Sequence, residues 1–305
     1  MTEPSRTIAV IGDTQNTLWA ERIFLRREDN ASARDMLLQS LREENFDMLI
    51  HLGDMVENGA SARAWEEFDR GFASILARHA TFMPMMGNHD YWGNAQRRRV
   101  NIAARFPQLA ACAWRTEIFH GLGLVCLDSN KAAYSRAAWA EQERWFAQTL
   151  AGFEASSLID AVLVFSHHPP FTNSAVRQRA KLLEKRILPA FFSSSKTKAF
   201  FSGHVHGYER FVVQGKTFVV SGGGGGPRLP LRKKERRKFV DEYEMERHRT
   251  QAGISLDGLM RPLHYLLITR ETRQLRIAAW GLRNGAARTA LFDEIVIPTD
   301  SVLTS

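Results

Sequence analysis

The chain has 305 residues, 44% of them hydrophobic and 24% charged. This is the balance of a globular protein with a sizeable core, and it excludes a disordered or fibrous chain. Its formal charge of +8 invites a nucleic-acid or other anionic partner, while no apolar run approaches the roughly 18 residues of a membrane-spanning helix.

The first residues, MTEPSRTIAVIGD, lead straight into a strand-like run and lack the basic and apolar stretches of a secretory signal. Segment 7–11 is the first of seven short apolar runs, followed by 48–52, 82–86, 122–127, 161–165, 199–201 and 217–220. Each ends in a polar residue or glycine and is predicted to be a buried strand that empties into a loop. Helical periodicity lies between several of them. Segment 33–44 brings Met36, Leu37 and Leu41 together, and 61–78 brings Trp65, Phe68, Phe72, Ile75 and Leu76, with Ser61 as N-cap. Segment 137–150 does the same with Trp139, Trp145, Phe146 and Leu150. Segment 175–192 is a fourth helix, which Pro189 ends or kinks. Alternating strands and helices predict an α/β sheet covered by helices.

Ser221, the glycines 222–226 and Pro227 interrupt this pattern. Consecutive glycines form neither a stable strand nor a stable helix. The run reads as a flexible hinge or as a turn passing close to a functional site. It lacks the lysine and hydroxyl of a P-loop and is not a nucleotide cradle. A charged insertion near 227–250 follows. Residues 228–249 hold nine Lys or Arg and five Asp or Glu, and nine minus five is a net of +4, half of the total excess. Such a run reads first as a solvated face, and second as a device that steers an anionic substrate. The portion from 263 is β-rich: 264–269, 275–280 and 290–297 read as successive strands. A mixed sheet or two packed sheets is expected. Nothing resembles a linker or a repeat, so residues 1–305 are expected to form a single domain.

Five motifs carry the chemistry: Asp13-Thr14-Gln15, Gly53-Asp54, Gly87-Asn88-His89-Asp90, His167-His168-Pro169 and Gly203-His204-Val205-His206. Each follows a predicted strand, where ligands collect in open α/β sheets. A two-metal hydrolase needs a bridging carboxylate and further ligands around each ion. Asp13, Asp54, Asn88, His167, His204 and His206 offer that set, and imidazole with carboxylate suits Mn, Fe and Zn. Singly, each motif has a plainer reading: a Gly-Asp turn, two alternating strand histidines, a helix cap at Asp13. Their joint occurrence in this order argues against coincidence.

In these residues the chain resembles the calcineurin-like metallophosphoesterase superfamily, which includes purple acid phosphatases and class III cyclic-nucleotide phosphodiesterases. The family pattern is D-x-[HQ], G-D, G-N-H-[DE], a histidine often followed by proline, and G-H-x-H; the likeness spans residues 7 to 226. It implies a four-layer α/β/β/α sandwich of two mixed β-sheets flanked by helices. It implies one metal on Asp13, Asp54 and His206, with Gln15 beside it. A second would lie on Asp54, Asn88, His167 and His204, with Asp54 as the bridge. By the same resemblance His89 faces the substrate, as a stabiliser of the phosphoryl group or an acid for the leaving oxygen, jobs that suit a near-neutral group. Asp90 would orient His89 and hold it charged.

Two departures matter. Gln15 stands where many members have histidine, and its neutral amide is a weaker ligand. Glu57 stands three residues after Asp54, where purple acid phosphatases carry an iron-binding tyrosine, so no charge-transfer iron site is expected. His168 reads equally as a loop residue or a substrate contact, because successive strand residues point to opposite faces. Tyr91, Trp92, Arg97, Arg98 and Arg99 form either a substrate-recognition loop or a solvated one, and Tyr208 and Arg210 pose the same choice. His51 reads as core; His79, His120, His248 and His264 read as structural. Cys112 and Cys126 suggest neither a disulfide framework nor a zinc site; they read as small buried hydrophobes, and a cytoplasmic location is expected.

The expected function is hydrolysis of a phosphate mono- or diester by a metal-activated water, with two divalent ions (Mn, Fe or Zn). A nuclease or cyclic-nucleotide phosphodiesterase is the alternative among enzymes. A non-catalytic metal-binding scaffold on the same fold is the alternative outside them. A phosphate ester is the expected partner, ahead of nucleic acid.

Overall fold

The structure, a computed structural model, describes residues 6–77, 81–245, 260–282 and 288–299. His79, His248 and the end of the charged insertion lie outside the described residues. In chain order the strands are β1 (Thr7–Ile11), β2 (Met48–His51), β3 (Thr81–Pro84), β4 (Arg115–Phe119), β5 (Leu122–Leu127), β6 (Ala161–Ser166), β7 (Thr197–Ser202), β8 (Tyr208–Val213), β9 (Lys216–Ser221), β10 (His264–Arg270), β11 (Gln274–Leu282) and β12 (Thr289–Pro298). The α-helices are α1 (Trp19–Phe24), α2 (Ala31–Glu43), α3 (Ala62–Leu76), α4 (Ala95–Arg105), α5 (Pro107–Ala111), α6 (Arg136–Ala155), α7 (Lys181–Arg186) and α8 (Leu188–Ser193).

The strands form two six-stranded sheets, ordered β12-β11-β10-β1-β2-β3 and β4-β5-β6-β7-β9-β8. Both are mixed: β1, β2 and β3 are parallel to one another, as are β5, β6, β7 and β9, with antiparallel strands outside them. The pleat sorts side chains between layers. Ile8 and Val10 enter the core between the sheets, whereas Ala9 and Ile11 face the core under α2 and α3. Leu163 and Phe165 face inward, and Val162 and Val164 face the core under α6, α7 and α8. Both faces of each sheet are thus buried, which is why these strands read as continuous apolar runs rather than alternating ones. The result is four layers, α/β/β/α.

Ser61 caps α3 by accepting from the Ala64 N–H at 3.2 Å. Trp65, Phe68, Phe72 and Ile75 then recur at helical spacing and are buried, each fully buried side chain contributing about 1.5–3 kcal/mol. Truncating Phe72 to Ala is expected to cost about 3–5 kcal/mol.

Cys126 is buried as expected, but Cys112 is exposed, and four further local expectations need correction. Segment 175–192 is not one helix; α7 starts only at Lys181 and the chain breaks at Ile187, with Pro189 in the first turn of α8. Arg97, Arg98 and Arg99 lie in α4, capped by Asn94, and not in a loop. Strands β4 and β8 gave no apolar run, since only one of the five residues of β4 is buried and β8 carries Glu209 and Arg210. The charged insertion is not simply a solvated face. Its described part buries Leu229, Leu231 and Tyr243, and Arg228 grips Glu28 through two contacts of 2.7 and 2.8 Å. Buried Asp241 pairs with buried Arg261 at 3.0 Å. No helix among the described residues is long and apolar enough to cross a membrane.

Candidate metal centre

The loops leaving the C-terminal ends of the parallel strands bring all five motifs to one place. Asp13, Asp54 and His204 each follow a strand within three residues and take φ of 59°, 53° and 66°. That left-handed backbone costs about 1 kcal/mol or more per residue, a strain of the kind that gathers at functional sites. It is held by a mesh of backbone bonds. Asp13 N–H donates to Gly53 O at 2.9 Å, and Thr14 and Gln15 N–H donate to Asp54 O at 3.0 and 3.2 Å. The five-glycine run is a turn against this mesh, not a free hinge. A Cβ on Gly222 would sit 2.3 Å from Val205 O and 2.9 Å from an Asp13 carboxylate oxygen.

Two clusters of donor atoms result. Asp13, Asp54 and His206 offer atoms within 4.8 Å of one another, and so do His167, His168 and His204. Asp54 Oδ2 stands between the clusters, 3.4 Å from Gln15 Nε2 and 3.4 Å from His167 Nε2. Asn88 Oδ1 lies 3.2 Å from His167 Nε2, which is also 3.2 Å from His204 Nδ1.

Backbone carbonyls set the tautomers. Because a carbonyl only accepts, His167 Nδ1 donates to Leu52 O at 2.9 Å and His206 Nδ1 to Pro227 O at 2.7 Å. In the neutral rings the Nε2 lone pairs therefore point into the site, the arrangement that outer-shell carbonyls impose on metal-binding histidines. His89 follows the same rule, with Nδ1 3.0 Å from Glu57 O. Its Nε2 is buried without a hydrogen-bond partner, as is Gln15 Oε1. Unsatisfied buried polar atoms are uncommon, and both residues here lie beside Asp54 Oδ2, His89 through Nε2 at 4.0 Å and Gln15 through Nε2 at 3.4 Å.

Electrostatics follow the packing. Burial pushes the Asp54 carboxyl up, but the neighbouring His167, His89 and His204 outweigh it and hold the group well below its ordinary range. Burial pushes His167 down, and the Asp54 charge more than reverses that, to about 9. His204 is held well below its ordinary value, first by burial and then by the neighbouring His168, His167 and Arg177. His168 falls to about 3, through burial and then the His167 charge.

Several sequence-predicted roles change. Asp90 does not touch His89. Its carboxylate accepts the backbone N–H groups of Asp54, Met55, Val56 and Gly87 at 2.8–3.2 Å, so it holds the two loops together. Tyr208 is fully buried and donates to Asp293 at 2.6 Å; Arg210 lies 3.3 Å from the same carboxylate. Both are buried on β8 and are held by Asp293 instead of lying in an exposed loop. His168 escapes strand alternation because β6 ends at Ser166; its ring stands 4.3 Å from that of His204. His51 is core, with Nε2 2.9 Å from Thr14 Oγ1, and buried His264 lies 2.9 Å from Ser221 Oγ.

Sequence reading missed the segment after β5. Ser129 Oγ lies 2.9 Å from His168 Nδ1, and Asp128 accepts from Tyr91 and Tyr134 at 2.5 and 2.9 Å. Polar Asp128, Ser129 and Asn130 following a buried strand are the same signal that marked the other motifs. From this floor a cleft of about 800 Å³ opens, with Asn88, Trp92, Arg98, Lys131 and His168 among its walls and no carboxylate lining it. Tyr91 lines it too, its hydroxyl tied back to Asp128. The Trp92 ring lies 3.8 Å from that of His89.

Residues 6–208 match the family described as calcineurin-like phosphoesterase. No curated protein matches the chain. Among solved structures the fold is similar to a dimetal phosphatase from Danio rerio, 14% identical, covering 97% of this chain and 99% of that one at a TM-score of 0.64. It is similar to the purple acid phosphatase PPD1 of yellow lupin (Lupinus luteus) seeds, 13% identical over 95% of this chain, at a TM-score of 0.64; this chain spans 53% of that protein, about half its length. It is similar to GAP50, the anchor in the inner membrane complex of Plasmodium, 12% identical, covering 93% of this chain and 87% of that one at 0.62. At these identities the likeness is one of fold.

Proposed function

This chain belongs to the calcineurin-like phosphoesterase family, and we propose that it is a hydrolase of phosphate esters working with two divalent metal ions. The observation that carries the reading is the position of Asp54 Oδ2, 3.4 Å from both Gln15 Nε2 and His167 Nε2, from which one carboxylate could serve both donor clusters. The donor set fits the ions: lone pairs face inward by tautomer, and Gln15 Oε1 is an orphaned acceptor. We assign Asp13, Gln15, Asp54 and His206 to one ion, and Asp54, Asn88, His167 and His204 to the other. When bound, such ions acidify water and offset charge on a phosphoryl group.

The protein's own groups do the rest. Glu57 O fixes Nδ1 of His89, and the ring's Nε2 lies 4.0 Å from Asp54 Oδ2, the proposed bridge. As an imidazolium it donates to a phosphoryl or leaving oxygen. Trp92 packs on that ring and shields it from water on one side. Arg98 and Lys131 line the cleft without an acidic neighbour in the lining, which draws in anionic esters. Since β10 pairs with β1, the strands beyond the family match belong to the same sheet, and we take the whole chain as one catalytic domain.

The test is chelator-stripped protein refilled with Mn²⁺, Fe²⁺ or Zn²⁺ and assayed on an aryl phosphate, an aryl phosphodiester and cyclic nucleotides. Turnover that depends on added metal is expected. Absence of turnover with every pairing, despite bound metal, overturns the enzyme reading in favour of a metal-binding scaffold.

A further inference from the structure

Beside the metal cleft lies a second, smaller cavity of about 220 Å³ whose lining includes Arg177, Arg179, Lys181, Arg232 and Lys238 and no carboxylate. It shares Gln178, Arg179 and Lys181 with the cleft, so the two are separated by one short stretch of chain. Arg179 is already paired with Glu184 at 2.8 Å; the remaining cations around so small a space repel one another unless an anion sits among them. The Arg177 Nε is buried and without a hydrogen-bond partner. Ser174 adds a hydroxyl to the lining, whereas the Thr172 hydroxyl is donated to Glu209.

The cavity is built and not incidental. Buried Asn173 accepts the backbone N–H groups of Lys238 and Phe239 at 2.9 and 3.1 Å and donates to Phe239 O at 2.9 Å. Ser174 Oγ accepts from Arg177 N at 3.0 Å, and Ser174 O accepts from Arg232 Nε at 3.0 Å. Buried Glu209 in turn accepts from Asn173 N at 2.7 Å. The loop after β6, which begins with His167, is thereby fastened to the charged insertion, and the two together supply four of the five cations, Lys181 opening α7 being the fifth.

We propose that this cavity is a subsite for a second phosphate group, so that the substrate is a small bisphosphate whose scissile ester lies at the metal centre. A space of about 220 Å³ is below the roughly 300–1,000 Å³ of a complete ligand pocket; it suits one terminal anion better than a passing polymer strand. This inference rests on the phosphoesterase reading for the position of the scissile group, but not for the binding of the anion.

The variants are Arg177→Gln, Lys238→Gln and the double variant; the Lys238 side chain is exposed, so its single variant guards against misfolding. Two measurements are made. In metal-loaded enzyme, kcat/KM for straight-chain diol bisphosphates is divided by that for 4-nitrophenyl phosphate. In metal-free protein, inorganic phosphate binding is followed by calorimetry at two salt concentrations. The expected result is a fall on the order of tenfold in both the selectivity ratio and the phosphate affinity, the size of a lost charge-assisted contact. An unchanged ratio with unchanged phosphate affinity overturns the subsite. If no ester is turned over, the phosphoesterase reading fails, and the binding comparison alone decides the anion site. Loss of single-stranded oligonucleotide binding in the variants, with no effect on bisphosphates, overturns the proposal in favour of a nucleic-acid groove.

Discussion

His206 donates its Nδ1–H to the carbonyl oxygen of Pro227 across 2.7 Å. Pro227 directly follows the five glycines, and Gly226 N–H donates to Asp13 O at 2.8 Å. One turn therefore sets the tautomer of a proposed ligand and fixes the backbone of another. Leu52 O does the same for His167 and Glu57 O for His89, so three carbonyls aim three imidazoles.

That turn gives the first prediction. In Gly222→Ala the new methyl meets Val205 O and the Asp13 carboxylate, and either the loop or the ligand must move. Metal affinity by calorimetry is expected to fall about 10–100-fold, the range seen when outer-shell support is removed. Wild-type affinity would count against the turn's part in the site.

Asp54 separates a binuclear centre from two independent sites. Asp54→Asn is expected to lose both ions by elemental analysis, because the shared carboxylate sits between the clusters, whereas Asn88→Ala loses only one. Retention of one full equivalent in Asp54→Asn contradicts the bridge.

His89 is placed outside the donor clusters. His89→Ala is expected to keep its metal and lose about 10²–10⁴ in kcat, the usual worth of a positioned acid–base group. Near-normal turnover rules this role out.

Asp90 is a strut and not a partner of His89. In Asp90→Asn one acceptor oxygen becomes an NH₂ facing backbone N–H groups, at about 1–3 kcal/mol for the unsatisfied donors. Thermal unfolding is expected to move down by roughly 2–10 °C, and the residual activity is expected to keep the wild-type pH profile. A displaced profile would restore the orienting role.

His264 sets a pH dependence of stability. Burial holds it at about 4, against an ordinary 6.5, although the Pro262 carbonyl works the other way. Below pH 6.5 the unfolded chain binds a proton that the folded chain refuses until about pH 4. Stability is thus fully present above the ordinary pKa and is lost as pH falls through this window, by about 3 kcal/mol. Denaturant titrations of chelator-treated protein are expected to show a shallower fall for His264→Gln across that range. Equal slopes for the two proteins contradict the assignment.

The sequence by itself determined the layers and most of the donor set. Strands buried on both faces write themselves as apolar runs, and polar residues at their ends have nowhere to go but the loops, so Asp13, Asp54, His167 and His204 were legible as a group. Strands β4 and β8 were not, because an edge strand or one carrying buried charge has no apolar signature. What only the tertiary structure decided was direction. Whether Asp90 faces His89 or four backbone N–H groups, whether Tyr208 opens to the cleft or to Asp293, and whether the charged insertion floats or docks against Asn173 all depend on contacts between residues distant in sequence. Local patterning records which face of an element is buried; it does not record which partner waits there.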